Sequence, residues 1–160
     1  MAKGSSFLLD SPSVRLPEDR GVNLATARIL VVDDEPVVLS LVASALERAG
    51  HQVASASGAL QALEFVRSQG PFDLVVTDVV MPGMCGTELA NEIRRLAPAS
   101  AILLMSGCVP ATQVPSGTPF IGKPFAMRNL LRAVDRALRP PAEQAAAADE
   151  RHAPATGGAD

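Results

Sequence analysis

Residues 28–34 read RILVVDD, an uninterrupted apolar run that ends in two carboxylates. Residues 72–78, FDLVVTD, repeat the same arrangement further along the chain. A continuous apolar run of this length is typical of a strand that is buried on both faces, as the strands of parallel sheets are. Each stretch therefore predicts a central strand that ends in acid.

Amphipathic helices are predicted around these strands. In EPVVLSLVASALERAG, residues 35–50, Pro36 suits the first turn and Gly50 ends the helix. In TELANEIRRLAP, residues 87–98, Thr87 is the predicted N-cap. The other predicted elements are a weak strand at 51–57, a helix at 58–70, strands at 100–107 and 118–122, and a helix at 126–138. This alternation predicts an α/β fold, a doubly wound five-stranded parallel sheet with helices on both faces.

The chain of 160 residues predicts one domain, at 27–139, between two flanking segments. Residues 1–26 lack periodicity and are predicted to form a partly disordered N-terminal arm. Residues 140–160 are Ala-rich and polar, and we expect a disordered low-complexity tail. With 14 basic and 17 acidic residues, the charge gives no reason to expect a nucleic-acid partner. No apolar run approaches a membrane span, so we expect a cytoplasmic protein without a membrane partner.

Polar side chains follow four of the five predicted strands: Asp33 and Asp34, Asp78, Ser106, and Lys123. Each alone is commonly a turn former, a cap or a solvated side chain. Because the carboxyl ends of parallel strands share one edge of the sheet, where ligands bind in such folds, we expect all five to converge there.

The chemistry of such a set can be argued from its residue types. Clustered carboxylates repel one another, and a hard divalent cation such as Mg²⁺, which prefers oxygen ligands, relieves the repulsion. A carboxylate beside the cation can attack phosphorus and form an aspartyl phosphate. An ammonium group and a hydroxyl then serve the new phosphoryl oxygens, a role that suits Lys123 and Ser106.

Four stretches together resemble the receiver domain of two-component response regulators: ILVVDDEP at 29–36, DLVVTDVVMPGMCGTEL at 73–89, LLMSG at 103–107 and KPF at 123–125. The resemblance covers roughly residues 27–138 and implies a flavodoxin-like, CheY-like (βα)5 fold. It implies that Asp78 is the phosphoacceptor. It also implies that Asp34, Asp78 and the backbone carbonyl of Val80 bind Mg²⁺ or Mn²⁺ directly, and that Asp33 acts mainly through water.

The resemblance assigns further roles near the end of the domain. Ser106 matches the switch residue whose hydroxyl turns toward the phosphoryl group, and Phe120 matches the switch aromatic. Lys123 matches the phosphate-binding lysine, and the family usually has a cis peptide bond before the following proline, here Pro124. Two positions that tune phosphate lifetime in the family hold Val80 and Cys108. Neither can orient a water as an acid or amide does, so we expect slow self-hydrolysis.

The chain departs from the family in GCVPATQVPSGTPFIG, residues 107–122. Three prolines divide the span where the family's fourth helix lies, and an interior proline costs a helix about 3 kcal/mol. That helix is therefore predicted to be short, irregular or missing. Two consequences stay open. The domain could signal through another surface or through ordering of this loop. Alternatively, the helix is simply shortened and the phosphorylation switch is unchanged.

The predicted function is a phosphoacceptor module rather than an enzyme acting on other substrates. Its phosphodonor would be a histidine kinase or histidine phosphotransfer protein, its downstream protein is unknown, and a homodimer is possible. We expect a stand-alone receiver without a DNA-binding output. A receiver excised from a hybrid histidine kinase and a phosphorylation-independent adaptor remain alternatives.

Overall fold

The computed structural model describes residues 26–108, 114 and 117–140. Five strands form one parallel sheet in the order β2-β1-β3-β4-β5. This confirms the predicted doubly wound sheet, and the order is that of flavodoxin-like folds. The strands are β1 Arg28–Val32, β2 Gln52–Ala56, β3 Leu74–Asp78, β4 Ala101–Ser106 and β5 Phe120–Gly122.

The described residues contain four α-helices: α1 Pro36–Arg48, α2 Ala59–Gln69, α3 Gly86–Leu96 and α4 Met127–Leu138. Pro36 lies in the first turn of α1, as predicted, and Gly50 follows that helix with a left-handed φ of 96°. The prediction of Thr87 as the N-cap of α3 is wrong, because Cys85 holds that position. The helix can start at Gly86 because this residue has no side chain, so the first turn can lie against the Asp78 carbonyl at the end of β3.

The sheet separates two apolar layers. Side chains of β1 alternate between them: Leu30 and Val32 lie in one cluster, with residues of α2 and α3. Ile29 and Val31 lie in the other, with residues of α1 and α4. Both faces of the sheet are therefore covered, which explains why the central strands are apolar without alternation.

Between β4 and β5, the described residues contain no helix. Residues 109–113 and 115–116 lie outside the described part, and with them most of the span where the fourth helix was predicted to be short, irregular or missing. Val114 packs against the cluster under α2 and α3. Arg94 of α3 donates a hydrogen bond to Thr118 Oγ1 at 2.9 Å, which links α3 to the chain entering β5.

The predicted arm and tail fall almost entirely on residues outside the described part, 1–25 and 141–160. Within the described residues, no helix has the length and apolar character that crossing a membrane requires.

Candidate functional site

The sheet register brings the predicted polar residues to one edge. Val32 is the partner of Thr77, so Asp33 follows β1 beside Asp78, the last residue of β3. Asp78 in turn pairs with Met105, which precedes Ser106. Gly122, the partner of Ser106, directly precedes Lys123. The ends of four strands thus meet at the carboxyl edge of the sheet. In open α/β sheets, ligands bind in the crevice outside this edge.

Lys123 joins the two buried carboxylates. Its Nζ lies 2.8 Å from Asp33 Oδ2 and 3.2 Å from Asp78 Oδ1. The Asp33 side chain is fully buried, and its other oxygen accepts the Glu35 backbone N–H at 2.9 Å. Both Asp33 oxygens therefore have partners, as a buried carboxylate requires. Asp34, the next residue, is exposed to solvent.

The pKa values of Asp78 and Lys123 reflect this crowding. Burial raises the pKa of the Asp78 carboxyl, and the charge of Asp33 acts in the same direction. The charge and hydrogen bond of Lys123 oppose the shift without cancelling it. Burial on its own lowers the pKa of the Lys123 ammonium, but hydrogen bonds and charges from Asp33 and Asp78 outweigh burial and raise it. Lys123 is thus held in its charged form by the two carboxylates, while burial disfavours the charged form of Asp78.

Three carboxylates at this edge have the donor chemistry of a cation site. One oxygen from each of Asp33, Asp34 and Asp78 lies within 4.8 Å of the others. An all-oxygen set that includes one solvent-exposed carboxylate suits a hard, partly hydrated ion such as Mg²⁺ or Mn²⁺. The residues present therefore fit the cation that the sequence predicts.

The remaining predicted site residues lie around this cluster. Ser106 is almost fully buried, and its Oγ accepts the Cys108 backbone N–H at 3.3 Å. Phe120 is partly buried against the cluster beneath α2 and α3. Val80 follows Asp78 on the outer surface, with 56% of its area exposed. The Lys123–Pro124 peptide bond is cis, and Lys123 N–H bonds the Ser106 carbonyl at 2.8 Å.

The structure adds two residues that the sequence analysis did not single out, Thr77 and Gly86. The buried Thr77 hydroxyl donates to the Asp78 carbonyl oxygen at 3.0 Å. A Cβ on Gly86 would overlap that same oxygen and lie 2.9 Å from both the Asp78 carbonyl carbon and Val79 Cα. The sequence feature that could have indicated this role is the second glycine of PGMCG, residues 82–86. It could not be interpreted from the sequence, because the contact between Gly86 and the Asp78 backbone exists only in the folded chain.

A family model described as the response regulator receiver domain matches residues 29–135. The chain belongs to the response regulator receiver domain family. That membership agrees with the observed strand order and with the acidic cluster beside Lys123.

Two curated receiver proteins illustrate the range of lengths in which this domain occurs. The response regulator receiver protein CpdR of Brucella abortus is 31% identical over 116 residues, which span 69% of this chain and 96% of that protein. The DNA-binding transcriptional regulator NtrC of Azospirillum brasilense is 34% identical over 135 residues, which span 79% of this chain but 28% of that protein. The chain thus spans less than a third of that longer relative.

The solved structure of the chemotaxis protein CheY4 of Vibrio cholerae superposes on this receiver with a TM-score of 0.65. The two are 28% identical, and the match covers 71% of this chain and 99% of that one. The likeness therefore extends over the whole of a receiver-sized structure.

Proposed function

We propose that this receiver accepts a phosphoryl group on Asp78 from the phosphohistidine of a histidine kinase or phosphotransfer protein. The observation that supports it best is the position of Asp78 at the strand edge, 3.2 Å from the Lys123 ammonium and grouped with Asp33 and Asp34. Single polar residues at strand ends are common, but this combination has the charges that an acyl phosphate needs.

In the proposed transfer, a carboxylate oxygen of Asp78 attacks phosphorus, and the imidazole leaves with the electron pair of the P–N bond. Lys123 then exchanges its contact with Asp78 for a phosphoryl oxygen and keeps its bond to Asp33. The Ser106 hydroxyl donates to a second phosphoryl oxygen. Asp34, Asp78 and the Val80 carbonyl would hold Mg²⁺ or Mn²⁺, with Asp33 acting through water. When bound, that cation neutralises the carboxylates and the incoming phosphoryl group.

A docking surface for the phosphodonor adjoins the site. Helix α1 begins two residues after Asp34, and it exposes Val37 and Leu41 to 78% and 54%. Met127 of α4 lines the same shallow groove. Exposed large apolar side chains beside a reactive group are characteristic of a protein contact. We propose that a helix carrying the phosphohistidine packs on this groove.

The fate of the phosphoryl group follows from the residues beside it. Val80 and Cys108 offer no carboxylate or amide to orient an attacking water, so we propose slow self-hydrolysis. The chain would then catalyse only its own phosphorylation and slow dephosphorylation. Phosphorylation would switch a protein-interaction surface through Ser106 and the aromatic ring of Phe120.

The setting of the domain belongs to the same proposal. We place the receiver at 27–139 in the cytoplasm, and we propose that it can form a homodimer. The domain can act either as a stand-alone receiver or as part of a longer protein, such as a hybrid histidine kinase. An immunoblot of cell extract against the receiver distinguishes the two by the mass of the native protein.

Intact-mass spectrometry after incubation with Mg²⁺ and acetyl phosphate tests the central claim. The chain has no Trp and no Tyr, so mass is a more direct readout than intrinsic fluorescence. We expect one phosphoryl adduct on the wild type and none on Asp78→Asn. Asp73→Asn is the matched control, because Asp73 precedes the same strand at its opposite end and accepts the Arg28 backbone N–H. A wild type that stays unmodified would favour the phosphorylation-independent adaptor.

A further inference from the structure

The first turn of α3 lies directly against the backbone of the residue proposed to accept the phosphoryl group. Gly86 Cα is so close to Asp78 that any side chain there would meet the Asp78 carbonyl oxygen. The other described glycine at a helix start, Gly58 before α2, has nothing within 4 Å of its would-be Cβ. The requirement for glycine is therefore specific to the helix beside Asp78.

Two hydrogen bonds hold this contact closed. Gly86 N–H donates to the Val79 carbonyl at 2.8 Å, which ties the helix start to the residue after Asp78. The Glu88 carboxylate accepts the Cys85 backbone N–H at 3.0 Å, which fixes the N-cap of α3. The same bond lowers the pKa of Glu88, so this acid is anionic at the positive end of the helix.

Two further hydrogen bonds hold the backbone at Asp78. Thr77 Oγ1 bonds the Asp78 carbonyl, and Val79 N–H bonds the Met105 carbonyl at 2.8 Å. The loop from Val79 to Cys85 therefore leaves the sheet at one fixed point and returns to it at Gly86. Val80, the proposed carbonyl ligand, lies within this closed loop.

We propose that Gly86 and Glu88 are positioning residues for the phosphoacceptor. Gly86 lets α3 press against the Asp78 carbonyl, and Glu88 locks the N-cap that keeps it there. Together they set where the Asp78 side chain and the Val80 carbonyl point. The inference rests on the proposed function, since it concerns how the same site is held rather than whether it is phosphorylated.

Two pairs of substitutions test the proposal, each with a matched control. Gly86→Ala is compared with Gly58→Ala, the same change at the start of the neighbouring helix. Glu88→Ala is compared with Glu92→Ala, one turn further along α3, where the carboxylate forms an ion pair with the exposed Arg95. Glu88→Gln tests rescue, because its amide oxygen can accept the Cys85 N–H.

Initial rates of modification by acetyl phosphate are the first readout. We expect Gly86→Ala to lower the rate roughly 100-fold, the scale of an ångström-sized misplacement of a reacting group. Loss of one helix cap should lower it about fivefold in Glu88→Ala. Glu88→Gln should recover most of that loss, and both controls should stay within about twofold of wild type.

NMR on the metal-free protein gives a readout that does not depend on phosphorylation. The amide signals of Asp78, Val79 and Val80 should move, and Mg²⁺ should bind more weakly, in Gly86→Ala and Glu88→Ala but not in the controls. If Gly86→Ala does not fold, Glu88→Ala with its Gln rescue decides the question. Folded Glu88→Ala with wild-type rates and Mg²⁺ affinity would overturn the proposal while leaving phosphorylation of Asp78 intact. A wild type that is not phosphorylated would instead overturn the proposed function.

Discussion

Replacing Lys123 by Met removes the ammonium group that contacts both Asp33 and Asp78, while keeping a side chain of similar length. Nζ lies 2.8 Å from Asp33 and 3.2 Å from Asp78. At an effective dielectric of about 20, these distances correspond to gross attractions of roughly 6 and 5 kcal/mol. Desolvation offsets much of this, and removing one partner of a buried pair costs about 3–5 kcal/mol.

We expect Lys123→Met to lower the free energy of unfolding by about 3 kcal/mol at pH 7 without divalent cation. The lower end of the range applies because the Lys123 side chain keeps 19% of its area exposed. For a domain of this size the loss corresponds to a fall in Tm of roughly 10 °C. Urea and thermal unfolding followed by far-UV circular dichroism measure both quantities.

The double variant Lys123→Met with Asp33→Asn separates charge from packing. If the loss comes from leaving the buried Asp33 uncompensated, neutralising that residue should recover at least half of it. Arg95→Met is the matched control, since it breaks an exposed pair with Glu92 and should change little. A double variant as unstable as Lys123→Met, or a Lys123→Met protein as stable as the wild type, would refute the electrostatic reasoning.

Three further predictions concern Asp78, His51 and Val80. Asp78→Asn should stabilise the metal-free protein by about 1 kcal/mol at pH 7. Because burial raises the folded pKa of Asp78 above its usual 3.8, the contribution of this residue to the unfolding free energy should fall as pH rises from 3.8 through the folded value. The gain in unfolding free energy of Asp78→Asn over the wild type, measured in urea titrations at several pH values, should therefore grow with pH across that range, and a constant difference would contradict this. His51 accepts the Ala27 backbone N–H at 3.3 Å and its pKa is lowered by burial. Its contribution to the unfolding free energy should therefore be full above about pH 6.5 and decrease as pH falls below that value. His51→Gln should lack this contribution to the pH dependence, and a pH profile identical to that of the wild type would contradict the prediction. Val80→Asn should shorten the half-life of phosphorylated Asp78 at least several-fold in a mass-spectrometric time course, and an unchanged half-life would show that this position does not limit hydrolysis.

Much of the fold could be predicted because its signals are local. The strands RILVV and LVVTD are buried on both faces of the sheet. Their continuous runs of apolar residues, without alternation, predict this burial from the sequence alone. The convergence of Asp33, Asp78 and Lys123 also followed, since parallel strands place their ends at one edge and each polar residue stood directly after an apolar run.

What the sequence did not predict depends on contacts between distant residues. Cys85 is a poor N-cap by residue type, and Thr87 is a better one, yet α3 starts at Gly86 because the fold brings its first turn onto Asp78. The adjacent acids Asp33 and Asp34 also differ, since Asp33 is fully buried with partners for both oxygens and Asp34 is exposed, and the partners of Asp33 lie on other parts of the fold or in the following turn.

The short edge strand β5 holds Lys123 less firmly than the inner strands hold the carboxylates of the site. The acids follow or end β1 and β3, inner strands with neighbours on both sides, whereas Lys123 follows a three-residue strand that pairs with β4 alone. Fraying such an edge needs the loss of few hydrogen bonds. We therefore expect the Lys123 ammonium group to leave and regain its contacts with Asp33 and Asp78 by local opening of β5, which needs less free energy than unfolding of the whole sheet.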